Sequence, residues 1–186
     1  MGPEIVRYVF DTGVSRFTVR AFARGMLSAF GHSPAFAIRR YSGVVQFNPE
    51  ILKGTSLRIA IKAASLEVAD NISDKDRRDI EREMRSRVLE IGKYPEIVYE
   101  CSRVALNKTG DGQYTVTLNG DLTLHGVTHG HTVTAKVAVT GDTLRAFGEG
   151  SLRQSDYSIK SVSAMGGGLK VKDEVKLSFD LMARKQ

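Results

Sequence analysis

QYTVTLNGDLTLH, Gln113 to His125, alternates without a slip. Tyr114, Val116, Leu118, Gly120, Leu122 and Leu124 fall on one side, and Gln113, Thr115, Thr117, Asn119, Asp121, Thr123 and His125 on the other. Period-two alternation describes an extended strand with one dry and one wet face. Thirteen such residues span roughly 40 Å, about twice an ordinary strand, and that length suits a strongly curved sheet. Gly120 stands where a bend or bulge would permit the curvature. A curved antiparallel sheet with one apolar face closes on itself around an apolar interior.

The same rhythm continues outward from this stretch. Val6, Tyr8 and Phe10 oppose Arg7 and Asp11, and Phe17, Val19 and Ala21 oppose Arg16, Thr18 and Arg20. Phe36 and Ile38 begin a third strand that continues through a break at Gly43 to Val45 and Phe47. Leu57, Ile59 and Ile61 follow, then Ile97, Tyr99 and Cys101. Val133, Ala135, Val137 and Val139 lead into a Gly141-Asp142 turn, and Leu144, Ala146, Gly148 and Leu152 return. Val175, Leu177, Phe179, Leu181 and Ala183 close the chain.

Two segments break the pattern. Ser73 to Glu90 carries Ile80, Met84 and Val88 at helical spacing on a charged surface, with Ser73 as N-cap and Asp76 at the third helical position. So narrow a stripe places the helix against an end or flank of the barrel. Arg24 to Pro34 holds Met26, Leu27 and Phe30 and ends in Gly31 and Pro34, a short helix or apolar loop suited to covering a barrel mouth.

Composition sets wide bounds. The 186 residues are 41% hydrophobic and 26% charged, which fits a single globular domain over 1–186. Cys101 is the only cysteine, so an intrachain disulfide is excluded. The opening MGPEIVRYVFD has no basic region followed by an apolar core. A chain that begins there is expected in the cytoplasm, and one from which a leader was removed in the periplasm. The net charge of +6 is spread along the chain without a basic groove and aromatic platforms, so nucleic acid is not expected as a partner. Transient contact with an anionic membrane surface is the functional reading of that charge.

GDLTLHGVT, Gly120 to Thr128, resembles the signature segment of the YceI-like family. Other segments agree in order: Tyr8 to Asp11 with Ser15 to Val19, Ser65 to Val68, Tyr94 to Ile97 with Cys101-Ser102, Arg153 to Ile159, and Val171 to Val175. The resemblance runs from about Tyr8 to Ala183. It implies an all-β fold: an antiparallel, lipocalin-like barrel of about eight strands with one peripheral α-helix. The implied role is to hold an isoprenoid lipid, a polyprenyl or quinone chain, inside the barrel. Within the resemblance, His125 belongs to the signature and fixes a strand corner by hydrogen bonding.

Catalytic readings fare poorly. His125, His129 and His131 in HGVTHGH lack a carboxylate or cysteine partner at metal-site spacing, which favours structural or exposed histidines. His129 and His131 share a strand face, and His125 lies across the loop. Ser155, Asp156 and Tyr157 are adjacent, with no oriented base implied by spacing. Cys101 reads as a packed core thiol. Gly166 to Lys170 lacks the ending of a phosphate loop and instead frees the connection from Gln154 to Lys170, whose apolar residues suit either a lid or a packed loop.

The expectation is therefore non-catalytic binding, storage or transport of an isoprenoid lipid. No cofactor is expected other than a bound lipid or quinone as ligand, and a homodimer is left open. The expected wall is Phe17, Val19, Leu27, Phe30, His32, Phe36, Ile38, Tyr99, Leu122, Leu124, Ile159, Met165, Leu177 and Phe179. The alternative is an enzyme acting on a small apolar substrate in the same cavity, with His32 and Asp156 as a convergent pair.

Overall fold

The computed structural model describes residues 4–24, 33–160, 163–164 and 169–186. Leu27, Phe30, His32 and Met165 of the expected wall lie outside the described residues. The strands are β1 Val6–Phe10, β2 Arg16–Arg20, β3 Ala23–Arg24, β4 Ala35–Ile38, β5 Tyr41–Phe47, β6 Ser56–Lys62 and β7 Leu66–Val68. After helix α1, Asp74–Glu83, come β8 Glu96–Gly110, β9 Gln113–Leu124, β10 Val127–Thr140, β11 Thr143–Arg153, β12 Ser163–Ala164, β13 Leu169–Val171 and β14 Glu174–Lys185.

Eight strands close an antiparallel barrel in the order β1-β5-β6-β8-β9-β10-β11-β14, and β14 pairs back onto β1. The edge of β14 carries β1 at its end, with Phe10 opposite Ala183, and β2 further back, with Phe17 opposite Phe179. β4 pairs with β2 where β5 pairs with β1, and β7 pairs with β4 where β6 pairs with β5. Three barrel strands are thus each interrupted once, at residues 11–15, 39–40 and 63–65.

Serines stitch two of these interruptions. Ser15 Oγ donates to Asp11 O at 2.6 Å and accepts from Met182 N–H at 2.9 Å. Ser65 Oγ donates to Lys62 O at 2.7 Å and accepts from Arg40 N–H at 3.0 Å. Backbone groups freed by a broken ladder need such partners when water is scarce. The third strand does run on from Ile38 to Phe47, but its break falls at Arg39-Arg40, and Gly43 lies inside β5.

The long alternating stretch forms β9, and His125 leaves the strand with φ at +53°. The bulge nearby is on the partner strand: Cys101 faces Gly120 and Arg103 faces Asn119, so Ser102 is the extra residue. Gly120 stands at the register position of that bulge and also seats an aromatic ring. A Cβ there would sit 2.6 Å from Tyr99 Cζ and 2.5 Å from Glu100 O. Gly148 likewise lies under Phe179, and Gly43 under Phe10. Three strand glycines are each covered by an aromatic ring from the neighbouring strand, which restores apolar contact where the glycine has no side chain.

The helix begins as expected, with Ser73 Oγ accepting from Asp76 N–H at 3.1 Å. It then widens into a π-type turn over Met84–Val88, where Leu89 N–H reaches Met84 O at 2.9 Å. Met84 and Leu89 are buried, and Ile80 and Val88 are half-buried against the core. The polar side chains of this face cover the free edge of β7. Glu81 accepts from Val68 N–H at 3.0 Å, Arg77 donates to Val68 O and, at 3.0 Å, to Asp70 O, and Arg85 donates to Leu66 O at 3.1 Å. An uncovered edge would otherwise leave these groups unpaired.

Inside, one apolar cluster occupies the helix end, around Val68, Leu66, Met84, Leu124, Tyr157 and Ile159. A second occupies the opposite end, around Tyr8, Phe47, Tyr114, Val137, Leu144 and Ala183.

Candidate functional site: the barrel channel

Between the two clusters runs an apolar channel of about 140 Å³. Every one of the eight barrel strands contributes to its wall, from Phe10 on β1 to Leu181 on β14. None of its described lining residues is Asp, Glu, Lys or Arg. A second hollow of about 650 Å³ lies on the helix flank among Arg78, Arg82, Arg85, Lys93, Glu81 and Glu90. Its charges are largely spent on each other, as in Arg85–Glu81 at 3.4 Å and Lys93–Glu90 at 3.0 Å, and it faces solvent. The channel is the stronger candidate, because ligand sites are concave and mostly apolar with few polar groups.

Phe17, Tyr99, Leu122, Leu177 and Phe179 of the expected wall line this channel. Val19, Phe36, Ile38, Leu124 and Ile159 point inward too, but they pack in the cluster at the helix end, outside the channel. The reason is the helix: Met84 and Leu89 fill the interior there, together with Tyr157, so those positions become core. Tyr157 is 2% exposed and Ile159 5%, so this part of the 154–170 connection is packed loop, not lid. Asp156 is exposed on the short turn Gln154–Tyr157, away from the channel.

Polar groups on the channel wall are few: Tyr99, His131, Thr55 and Ser56, the last donating to Gln46 Oε1 at 2.9 Å. The Tyr99 hydroxyl lies 3.2 Å from Leu118 O and 3.0 Å from His131 O, spanning the seat left by Gly120. Burial pushes its pKa strongly up, so it remains a neutral donor. Cys101, buried beside it, donates to Arg103 O at 3.3 Å, and burial raises its thiol as well. That is an inert core thiol. His131 turns its ring edge-on to Tyr99, with centroids 6.4 Å apart, and its Nε2 is buried without a hydrogen-bond partner among the described residues.

The three neighbouring histidines therefore serve three places. His131 faces the channel. His129 is exposed at the rim, edge-on to the Tyr157 ring at 5.6 Å. His125 fixes the corner: Nε2 lies 2.7 Å from a Glu90 carboxylate oxygen and Nδ1 3.2 Å from Tyr157 O. Both partners are acceptors, so both bonds form together when the ring carries two protons. Tyr94 packs on the imidazole at 4.5 Å. Lys93 first, and His125 second, hold the Glu90 carboxyl below its ordinary range.

This strand plan, with a peripheral helix and a histidine-anchored corner inside GDLTLHGVT, agrees with the match of a family model for the YceI-like domain over residues 8–183. The chain belongs to the YceI-like family. Solved structures agree with this YceI-like fold. BcnA of Burkholderia cenocepacia is 22% identical with a TM-score of 0.71, covering 93% of this chain and 98% of that one. A polyisoprenoid binding domain from Saccharophagus degradans, implicated in plant cell wall breakdown, is 14% identical with a TM-score of 0.71, covering 97% and 99%. The YCEI protein of Campylobacter jejuni is 17% identical with a TM-score of 0.55, covering 80% and 83%. Comparison with curated protein sequences gives no match.

Several channel residues of this YceI-like barrel escape the alternation read from sequence. Val104, on β8, lies beyond the Ser102 bulge, where the inward phase changes from odd to even numbers. His131 reads in sequence as one of three neighbouring histidines, although it has the same parity as Val133, Ala135 and Val137. That parity was the available signal.

Proposed function

We propose that the protein binds an isoprenoid lipid in the barrel channel and carries it without chemical change. The observation that carries this reading is a channel walled by all eight strands with no charged side chain among its described lining residues. The family and the polyisoprenoid binding domain of similar fold support it. Burying a prenyl chain contributes about 0.8 kcal/mol per CH₂, offset in part by chain ordering and association. Catalysis would need a convergent acid, base or nucleophile. Tyr99 and His131 are the titratable groups among the described lining residues, and the Tyr99 hydroxyl is already engaged. The net charge of +6 supports transfer of the lipid at an anionic membrane surface.

The channel volume of 140 Å³ is below the usual lower bound of about 300 Å³ for ligand pockets, so a long chain enters by displacing wall side chains. Phe17 and Phe179 are the candidates for displacement: both are half-buried, and they touch edge-to-face at 6.4 Å. The test is lipid retention, by mass spectrometry of gently purified protein and by titration with prenyl lipids of graded length. Affinity is expected to rise with chain length, and Phe179→Asp, which puts an unpaired carboxylate on the wall, should lose at least tenfold. Equal retention by a folded Phe179→Asp protein would remove the channel as the binding site.

A further inference from the structure

We propose that His131 is the polar anchor of the channel, its Nε2 hydrogen-bonding an uncharged oxygen, a hydroxyl or a carbonyl, of the bound lipid. This rests on the lipid-binding reading and specifies the chemistry that such a lipid must present.

The His131 Nε2 is buried and has no hydrogen-bond partner among the described residues, and a buried polar atom is costly until some group answers it. Its surroundings do not answer it. The Tyr99 hydroxyl is turned to the carbonyls of Leu118 and of His131 itself, and the two rings meet edge to face at 88°. His131 stands at mid-wall, where β10 faces Gly120 of β9, and the strand continues into the apolar Val133, Ala135 and Val137. A ligand atom in the channel is then the partner within reach.

The nature of that atom follows from what surrounds it. Burial lowers the His131 pKa, so the ring is neutral at physiological pH. With no Lys or Arg among the described lining residues, a phosphate or carboxylate there would be desolvated without a countercharge. A neutral imidazole nitrogen pairs well with an uncharged oxygen: with a hydroxyl in either tautomer, and with a carbonyl when Nε2 carries the proton. A quinone ring or a prenyl alcohol meets this requirement. An anionic head group would have to remain outside the channel.

Among the described lining residues one other atom is buried without a partner, Thr55 Oγ1, on the residue that precedes β6. A hydroxyl there could serve the same oxygen, so the experiment separates the two.

Four probes of matched chain length are titrated into the full chain: a prenyl alcohol, an isoprenoid quinone, a prenyl hydrocarbon and a prenyl monophosphate. The proteins compared are wild type, His131→Phe, His131→Gln and Thr55→Val. Wild type is expected to favour alcohol or quinone over hydrocarbon by roughly three- to tenfold, and to gain nothing from the phosphate. The alcohol and quinone arms show which oxygen is preferred. His131→Phe should lose the preference while binding the hydrocarbon at least as well. It should also unfold no earlier than wild type, since it removes a buried atom with no partner among the described residues. His131→Gln, which keeps a polar atom, should retain part of the preference. In ¹⁵N spectra, the His131 ring resonance should move with alcohol or quinone and stay in place with hydrocarbon. A full preference in folded His131→Phe, or its loss in Thr55→Val alone, overturns the proposal. A wild type that binds all four probes equally overturns the anchor and leaves lipid binding standing. A wild type that binds none of them overturns the lipid reading and the anchor with it.

Discussion

Replacing Gly120 by Ala tests the architecture at its tightest point. The new Cβ would stand 2.5 Å from Glu100 O, 2.6 Å from Tyr99 Cζ and 2.7 Å from its hydroxyl. Glu100 O belongs to the paired backbone of β8 and cannot rotate away, so β8 and β9 must separate locally. The Tyr99 ring must also lift, and its hydroxyl then leaves Leu118 O and His131 O. Overpacking of this kind typically costs about 1–3 kcal/mol, and a buried hydroxyl left unpaired about 1–3 more. Partial relaxation keeps the expected loss near about 2–4 kcal/mol, or roughly 5–15 °C in melting temperature for a chain of this size. Chemical denaturation at equilibrium measures it, with Tyr99→Leu as the second arm. If the ring is what the methyl strikes, Gly120→Ala should cost distinctly less in the Tyr99→Leu background, leaving only the Glu100 carbonyl contact. A Gly120→Ala protein within about 0.5 kcal/mol of wild type would refute the ring-on-glycine account.

Two further outcomes follow from the polar contacts. Glu81→Ala frees Val68 N–H and Arg85 at the edge of β7 and should destabilise by about 1–3 kcal/mol, with Glu81→Gln, which still offers an acceptor, losing less; equal losses would show that the acceptor is unimportant. Asp180, gripped by Arg145 at 2.7 and 2.6 Å, and Asp173, bonded by Ser155, have carboxyls held below their ordinary range. Their contribution is complete above the unfolded carboxylate range and is lost as pH falls through the lower folded values. Wild type should therefore lose its advantage over Asp180→Asn on acidification, and a pH-independent difference would contradict the linkage.

The alternation that marks β9 was legible because each inward residue there is apolar and each outward one polar. The interruptions were legible too, through a signal less obvious than glycine. Inward residues are even-numbered at Phe36 and Ile38 and odd-numbered from Tyr41 onward, and the change falls at the adjacent polar pair Arg39-Arg40. The same switch occurs at Ser102-Arg103, from Tyr99 and Cys101 to Val104 and Leu106. One extra residue moves every later side chain to the other face, so two consecutive polar residues inside an apolar rhythm mark an inserted residue. Gly43 and Gly120 attracted the reading because glycine permits bends. In the fold each is also the floor beneath an aromatic ring, a relation between strands that no single stretch of sequence displays.

The site was less legible than the barrel for a related reason. Inward orientation follows from local alternation, but whether an inward residue meets a channel or a plug depends on what is folded over it. Phe36, Ile38 and Leu124 have the same credentials as Leu177 and Phe179 in sequence. They become core because a charged helix, anchored through Glu81, Arg77 and Arg85 to the edge of β7, brings Met84 and Leu89 over them. His131 presents the opposite case. Its parity placed it inward, yet a histidine among histidines invites a metal or surface reading. Its significance lies in the partner it lacks, and that becomes visible only when Tyr99 is seen spending its hydroxyl on the backbone carbonyl of the same residue. A wall that is apolar on every strand needs little from sequence beyond phase. The unanswered nitrogen among its described residues needs the whole barrel to define it.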